Sequence, residues 1–172
     1  MSNDYIISPT DRILVTGASG FIGAKVVEML LEYGYTTLHC MVRPSSSRGR
    51  LGAAVERFGS PPEVKVGAGD LTSREDCSRV AEGVSVVLHL AAGFDKSFAG
   101  AFMNSALATR NLMDAFLDAG RPVRFVNVSS FAVYSNLRLR RGALLDENAP
   151  LEDAPQDRND AYGFGKIEQE KV

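Results

Sequence analysis

Between Ile13 and Gly23 the chain reads Ile-Leu-Val-Thr-Gly-Ala-Ser-Gly-Phe-Ile-Gly, and this stretch narrows the choice of fold more than any other. Ile13, Leu14 and Val15 form the short apolar run of a strand buried on both faces; spaced glycines and then an amphipathic stretch follow. The order is strand, tight turn, helix. Gly17, Gly20 and Gly23 stand at Gly-x-x-Gly-x-x-Gly, a variant of the dinucleotide-binding pattern with a wider first interval. Gly17 permits the sharp turn, Gly20 lets a diphosphate reach the main chain, and Gly23 lets the helix pack close to the strand. Free amides at the start of that helix would face the phosphates. Spaced glycines also serve turns and caps; their place directly after an early buried strand is what points to a nucleotide.

The chain has 172 residues, 45% of them hydrophobic and 23% charged, which suits one globular domain over 1–172 with a substantial core. A formal net charge of −2 without a long basic run leaves no electrostatic footprint for nucleic acid. No apolar stretch reaches the ~20 residues of a membrane span. Met1-Ser2-Asn3-Asp4 lacks the features of a secretion signal, so a cytoplasmic location is expected. Cys40 and Cys77 fit no metal-ligand spacing and read as small buried thiols; no metal is expected.

Periodicity predicts strands near Arg12–Thr16, Thr36–Val42, Glu63–Val66, Val84–Leu90 and Val123–Val128. Helices are predicted at Phe21–Tyr33, Leu51–Phe58, Ser73–Glu82 and Phe98–Ala119, with Gly34 and Gly120 as stops. This alternation predicts an α/β fold: a doubly wound parallel sheet of the Rossmann type, in three α/β/α layers, with its ligand crevice at the strands' carboxyl ends. The second strand ends in Arg43, followed by Pro44, three serines, Arg48 and Arg50, where a carboxylate would select NAD. A guanidinium there suits the 2′-phosphate of NADP, which places NADP ahead of NAD; a merely solvated serine-rich loop is the other reading. Asp70, in Gly69-Asp70-Leu71, either borders the adenine or caps the next helix. His89 reads as structural, and the small residues after it leave room for a ligand. Ser135–Asp160 reads as an irregular loop. Tyr162 and Lys166 lie one turn apart on a helix, where an ammonium beside a phenol favours the phenolate. Ser130 would hold the substrate oxygen against the same Tyr.

Gly17-Ala18-Ser19-Gly20-Phe21-Ile22-Gly23, Gly69-Asp70-Leu71, His89-Leu90-Ala91-Ala92, Ser129-Ser130 with Val133-Tyr134, and Tyr162 with Lys166 together resemble the extended short-chain dehydrogenase/reductases, the NAD-dependent epimerase/dehydratase family. The resemblance covers nearly the whole chain, including the stretch Asp146-Glu147-Asn148-Ala149-Pro150 ahead of Tyr162. It implies Tyr162 as the acid/base, Lys166 as the group that binds the nicotinamide ribose and tunes Tyr162, and Ser130 as the residue that orients substrate. It further implies a cofactor held by Gly17, Ser19, Gly20, Phe21, Ile22, Gly23, Arg43, Asp70, Leu71, Leu90, Ala91 and Ala92, together with Tyr162 and Lys166. Asn104 sits where the family often has an Asn of a proton relay in the long central helix, and Asn111 lies one helical stretch on. Ser135 and Gly165 depart from the pattern, and Gly163 and Gly165 each weaken a helix by roughly 1 kcal/mol, which predicts a poorly ordered catalytic turn. Family enzymes also continue for well over a hundred residues, so the chain is expected to be the cofactor-binding portion, without the substrate domain. The implied reaction is hydride transfer at a C–OH or C=O carbon of a small molecule, with a nucleotide sugar first. Reduction of a steroid- or flavonol-like ketone and a non-catalytic NADP-binding module are the alternatives. A homodimer through the long helix and the Tyr/Lys helix belongs to the same expectation.

Overall fold

The computed structural model describes residues 7–61, 63–120, 124–135 and 138–172. Met1-Ser2-Asn3-Asp4 and Val123, the expected start of the fifth strand, lie outside them. In order come β1 (Ile13–Thr16), α1 (Phe21–Glu32), β2 (Leu38–Val42), α2 (Gly49–Glu56), β3 (Lys65–Ala68), α3 (Arg74–Ala81) and β4 (Val86–His89). Then follow α4 (Phe98–Phe102), a π turn (Met103–Leu107), α5 (Ala108–Asp118), β5 (Arg124–Asn127), single 3-10 turns at Phe131–Val133 and Pro155–Arg158, and α6 (Ala161–Glu170). The chain divides into two compact units, Met1–Ala91 with Asn111–Val128, and Ala92–Arg110 with Ser129–Val172.

The first unit contains the whole sheet, five parallel strands in the order β3-β2-β1-β4-β5. The strand order reverses between β1 and β4, so the crevice of such a fold opens at the carboxyl ends of these two strands. Alternation along β1 sends Ile13 and Val15 to one face, where Val27 and Leu31 of α1 and Leu51 of α2 cover them. Leu14 points to the other face, against Cys77 and Ala81 of α3 and Leu112, Ala115 and Phe116 of α5. Three α/β/α layers result, as the apolar pattern predicted.

β3 pairs as His39↔Lys65 through Val42↔Ala68, two residues later than the expected Glu63–Val66. The apolar Val64 and Val66 attracted the reading, whereas pairing with β2 carries the strand through Gly67 and Ala68. Asp70 does not cap α3. Ser73 does, accepting from the Asp76 amide, while the Asp70 carboxylate accepts from the Thr72 amide and hydroxyl at 2.9 and 2.8 Å.

In the second unit α6 packs against α4, the π turn and both 3-10 turns. Gly165 explains itself here: a Cβ would stand 2.9 Å from the Ala101 carbonyl oxygen and 3.1 Å from Ser105 Oγ, so only glycine permits this approach. The expected disorder of the catalytic turn is therefore not found; α6 runs unbroken from Ala161 to Glu170, with Asp160 as its cap. Nor is Ser135–Asp160 wholly irregular. Tyr134 bridges antiparallel to Leu151, and Pro155–Arg158 forms a 3-10 turn.

Candidate active site

The turn leaving β1 is built from backbone against backbone. A Cβ on Gly17, whose φ is +67°, would lie 2.9 Å from the Ala91 amide nitrogen, and one on Gly23 would lie 2.1 Å from the Gly17 carbonyl oxygen. Gly20 is the N-cap of α1 and supplies no side-chain bond to the helix amides, and the first turn holds no acidic residue. This close backbone packing and the helix start that no side chain caps fit a diphosphate. Ser19 is half-buried, whereas Phe21 and Ile22 on the first turn of α1 are 80% and 59% exposed. Large apolar side chains this open beside a phosphate cradle fit a ligand laid over them.

The other predicted cofactor residues of the first unit ring the same strand ends. Arg43 follows β2 and is exposed, with no carboxylate in the segment after it. Asp70 follows β3; its amide donates to Asp76 Oδ2 at 2.7 Å. The Leu71 carbonyl accepts from Asn111 Nδ2 at 3.1 Å, as does that of Thr72. Asn111 thus straps this loop. Leu90 packs into the core, and the Ala91 amide donates to Thr16 Oγ1 at 3.3 Å. Thr16 Oγ1 also lies 2.7 Å from Nδ1 of the buried His89, in keeping with a structural histidine.

Ala92 and the three predicted catalytic residues belong to the second unit. Ser130 caps the Phe131–Val133 turn, its Oγ accepting from the Ala132 amide at 3.2 Å. That bond occupies a lone pair and leaves the hydroxyl proton available to a substrate oxygen. Tyr162 and Lys166 lie on α6 at the predicted spacing. Lys166 is 3% exposed, and burial holds its ammonium below the usual 10.5, with Glu170 acting in the opposite sense.

Three contributors escaped the sequence reading. Phe94 stacks face to face on the Tyr162 ring, with centroids 4.9 Å apart and planes 1° from parallel, yet remains 82% exposed. Its loop is held down by Asp95, which accepts from Asn104 Nδ2 at 2.8 Å in the π turn. An aromatic directly after Ala91-Ala92-Gly93 was the available signal. Arg158 joins the segment after Ser130 to the start of α6: Nη2 donates to the Ala132 carbonyl at 3.1 Å and Nη1 to that of Tyr134 at 3.2 Å. The same guanidinium pairs with Asp160, the cap of α6, at 2.9 Å and with the buried Glu152 at 3.2 Å. No local pattern announces an ion pair spanning six residues of a loop. The third is Gln169, which accepts from Lys166 Nζ at 2.8 Å. A cavity of about 490 Å³ is lined by Phe131, Ala132, Tyr134, Leu139, Leu145 and the Arg158–Asp160 turn.

A parallel sheet with this strand order and a glycine cradle after β1 defines a dinucleotide-binding α/β fold. Residues 13–172 match the NAD dependent epimerase/dehydratase family, and the chain belongs to it. It is 28% identical over 180 residues to a 3 beta-hydroxysteroid dehydrogenase/Delta 5→4-isomerase of Mycobacterium tuberculosis, covering 99% of this chain and 44% of that protein. The dTDP-glucose 4,6-dehydratase DesIV of Streptomyces venezuelae, solved with NAD bound, superposes with a TM-score of 0.76 at 26% identity, over 93% of this chain and 49% of that one. Gre2 of Candida albicans, solved with NADPH, shares the fold at a TM-score of 0.76 and 24% identity, over 94% and 51% of the two chains. The chain therefore spans about half the length of these relatives. Among the described residues no helix is long and apolar enough to cross a membrane.

Proposed function

We propose that this chain serves a nicotinamide-dependent oxidoreductase acting at a carbon that bears a hydroxyl or keto group. The observation that carries the reading is the arrangement on α6: Tyr162 and Lys166 one turn apart, with the Ser130 segment tied to the cap of the same helix through Arg158. Bound NADP, ahead of NAD, supplies or receives the hydride. Tyr162 gives a proton to the substrate oxygen on reduction and takes it back on oxidation. The Lys166 ammonium, one turn from Tyr162, would bind the nicotinamide ribose, and Ser130 would donate to the substrate oxygen. Gly17, Ser19, Gly20, Phe21, Ile22 and Gly23 would hold the diphosphate. Arg43 would meet the 2′-phosphate, Asp70 and Leu71 the adenine, and Leu90, Ala91 and Ala92 would contact the rest of the cofactor.

For the substrate, Phe94 favours a ketone or secondary alcohol on an apolar ring skeleton, because, stacked on Tyr162, it remains an exposed flat apolar surface beside that residue. The likeness to a 3 beta-hydroxysteroid dehydrogenase supports this reading. A nucleotide sugar is the second reading, supported by the likeness to a dTDP-glucose dehydratase. Two free, buried thiols suit a reducing compartment such as the cytoplasm, and we extend the reading to a homodimer. Light scattering that gives only monomer at high concentration rejects the dimer.

The test pairs NADPH fluorescence with turnover of a sterol ketone and a nucleotide sugar. Tyr162→Phe is expected to lower turnover about 10²- to 10⁴-fold and to leave NADPH affinity within about twofold. Undiminished turnover in that variant rejects the assignment of Tyr162. NADPH binding with no turnover on either substrate favours a non-catalytic cofactor-binding module.

A further inference from the structure

We infer that Gln169, with Thr109 behind it, is a positioning residue for the Lys166 ammonium, an inference that rests on Lys166 acting beside Tyr162 as proposed above. Lys166, Gln169 and Thr109 are 3%, 2% and 1% exposed, so their polar atoms are satisfied by protein groups, one another among them. Lys166 Nζ donates to Gln169 Oε1 at 2.8 Å, Gln169 Nε2 donates to Thr109 Oγ1 at 2.8 Å, and Thr109 Oγ1 donates to the Ser105 carbonyl at 2.8 Å.

The direction of this chain is fixed by its ends. An ammonium has only protons to offer, and the Ser105 carbonyl can only accept. Thr109 spends its proton on that carbonyl and turns a lone pair to the Gln169 amide nitrogen, which leaves Oε1 facing Lys166. A flipped Gln169 would set NH2 against NH3⁺ and carbonyl oxygen against a hydroxyl oxygen whose proton points elsewhere. Gly165 makes the arrangement reachable, since its missing side chain lets α6 settle against Ala101 and Ser105. Gln169 is also neutral. It orients the cation without cancelling its charge; a carboxylate in its place would compete for that charge. From the neighbouring helix Ser105 and Thr109 are neutral as well, and Glu170 of its own helix is a charged group that acts on Lys166.

The experiment is an NMR titration of the Lys166 side chain in the 172-residue protein, its resonance assigned by loss in Lys166→Met, alongside pH profiles of NADPH binding and turnover. Gln169→Glu, nearly isosteric, should raise the Lys166 midpoint by about one unit and shift the pH profile with it. Thr109→Val, which untethers the amide, should lower the midpoint by less. If Gln169→Glu does not fold, Gln169→Met takes its place with a shift of the opposite sign. A shift in the Gln169 variant alone keeps Gln169 and removes Thr109. Wild-type midpoints in both variants overturn the inference. Should Lys166→Met bind NADPH and turn over undiminished, the catalytic reading of Lys166 falls, while the titration still decides the role of Gln169.

Discussion

The turn from Gly17 to Gly23 is held by main chain packed on main chain, whereas the segments that carry Ser130 and Tyr162 are also joined through the polar and ionic bonds of one guanidinium. In the turn the contacts lie within a dozen residues, apart from the Ala91 amide, and any added methyl group meets backbone atoms. Around Arg158 the joined groups are the Ala132 and Tyr134 carbonyls, Glu152 and Asp160, all polar or charged. Steric constraint leaves its mark on sequence as glycine at fixed spacing. Electrostatic constraint leaves almost none, because many loop arginines look alike until their partners are known.

The comparison predicts different modes of failure. Arg158→Met would leave the buried Glu152 carboxylate without its ion-pair partner, at a cost of about 3–5 kcal/mol in urea denaturation, and amide exchange should rise first at Gly163, which donates to Asp160. Uniform acceleration that includes Val15 would make Arg158 a general stabiliser and dissolve the contrast. Gly23→Ala should cost about 3 kcal/mol and abolish measurable NADPH binding, since the Gly17 carbonyl must move. A variant with wild-type affinity would show that the cradle is not steric. Arg43→Ala, on an exposed loop, should weaken NADPH about tenfold against NADH, ~1.4 kcal/mol, with the fold untouched. Equal losses for both cofactors reject the 2′-phosphate contact. The smallest effect concerns pH. Lys166 titrates below 10.5 when folded, so between its folded value and 10.5 the unfolded chain binds more protons and stability rises with pH. Relative to Lys166→Met, the wild type should gain stability from neutral pH toward pH 10.5 in urea midpoints; a flat difference contradicts the burial of the charge.

The sheet, its layers and the glycine turn were legible because each rests on a period or on a residue type that backbone geometry demands. β3 was misplaced by two residues because pairing with β2, not local apolar content, set its limits. Gly165 was read as a weakness for want of the neighbouring helix, whose approach is the reason for it. Tyr162 and Lys166 were visible through their spacing. Phe94 and Gln169 were not, because stacking and a buried amide chain are properties of the folded surroundings.

The two cysteines gain a use from their positions. Cys40 on β2 lies in the core beneath α1 and α2, Cys77 of α3 in the core on the opposite face, and burial pushes their thiols up to about 12 and about 11. Alkylating reagents attack the thiolate, so the native chain should stay almost silent toward them until a layer lifts. Each sulfur is then a clock for its own side of the sheet, and the order in which the two are modified reveals which helical cover detaches first.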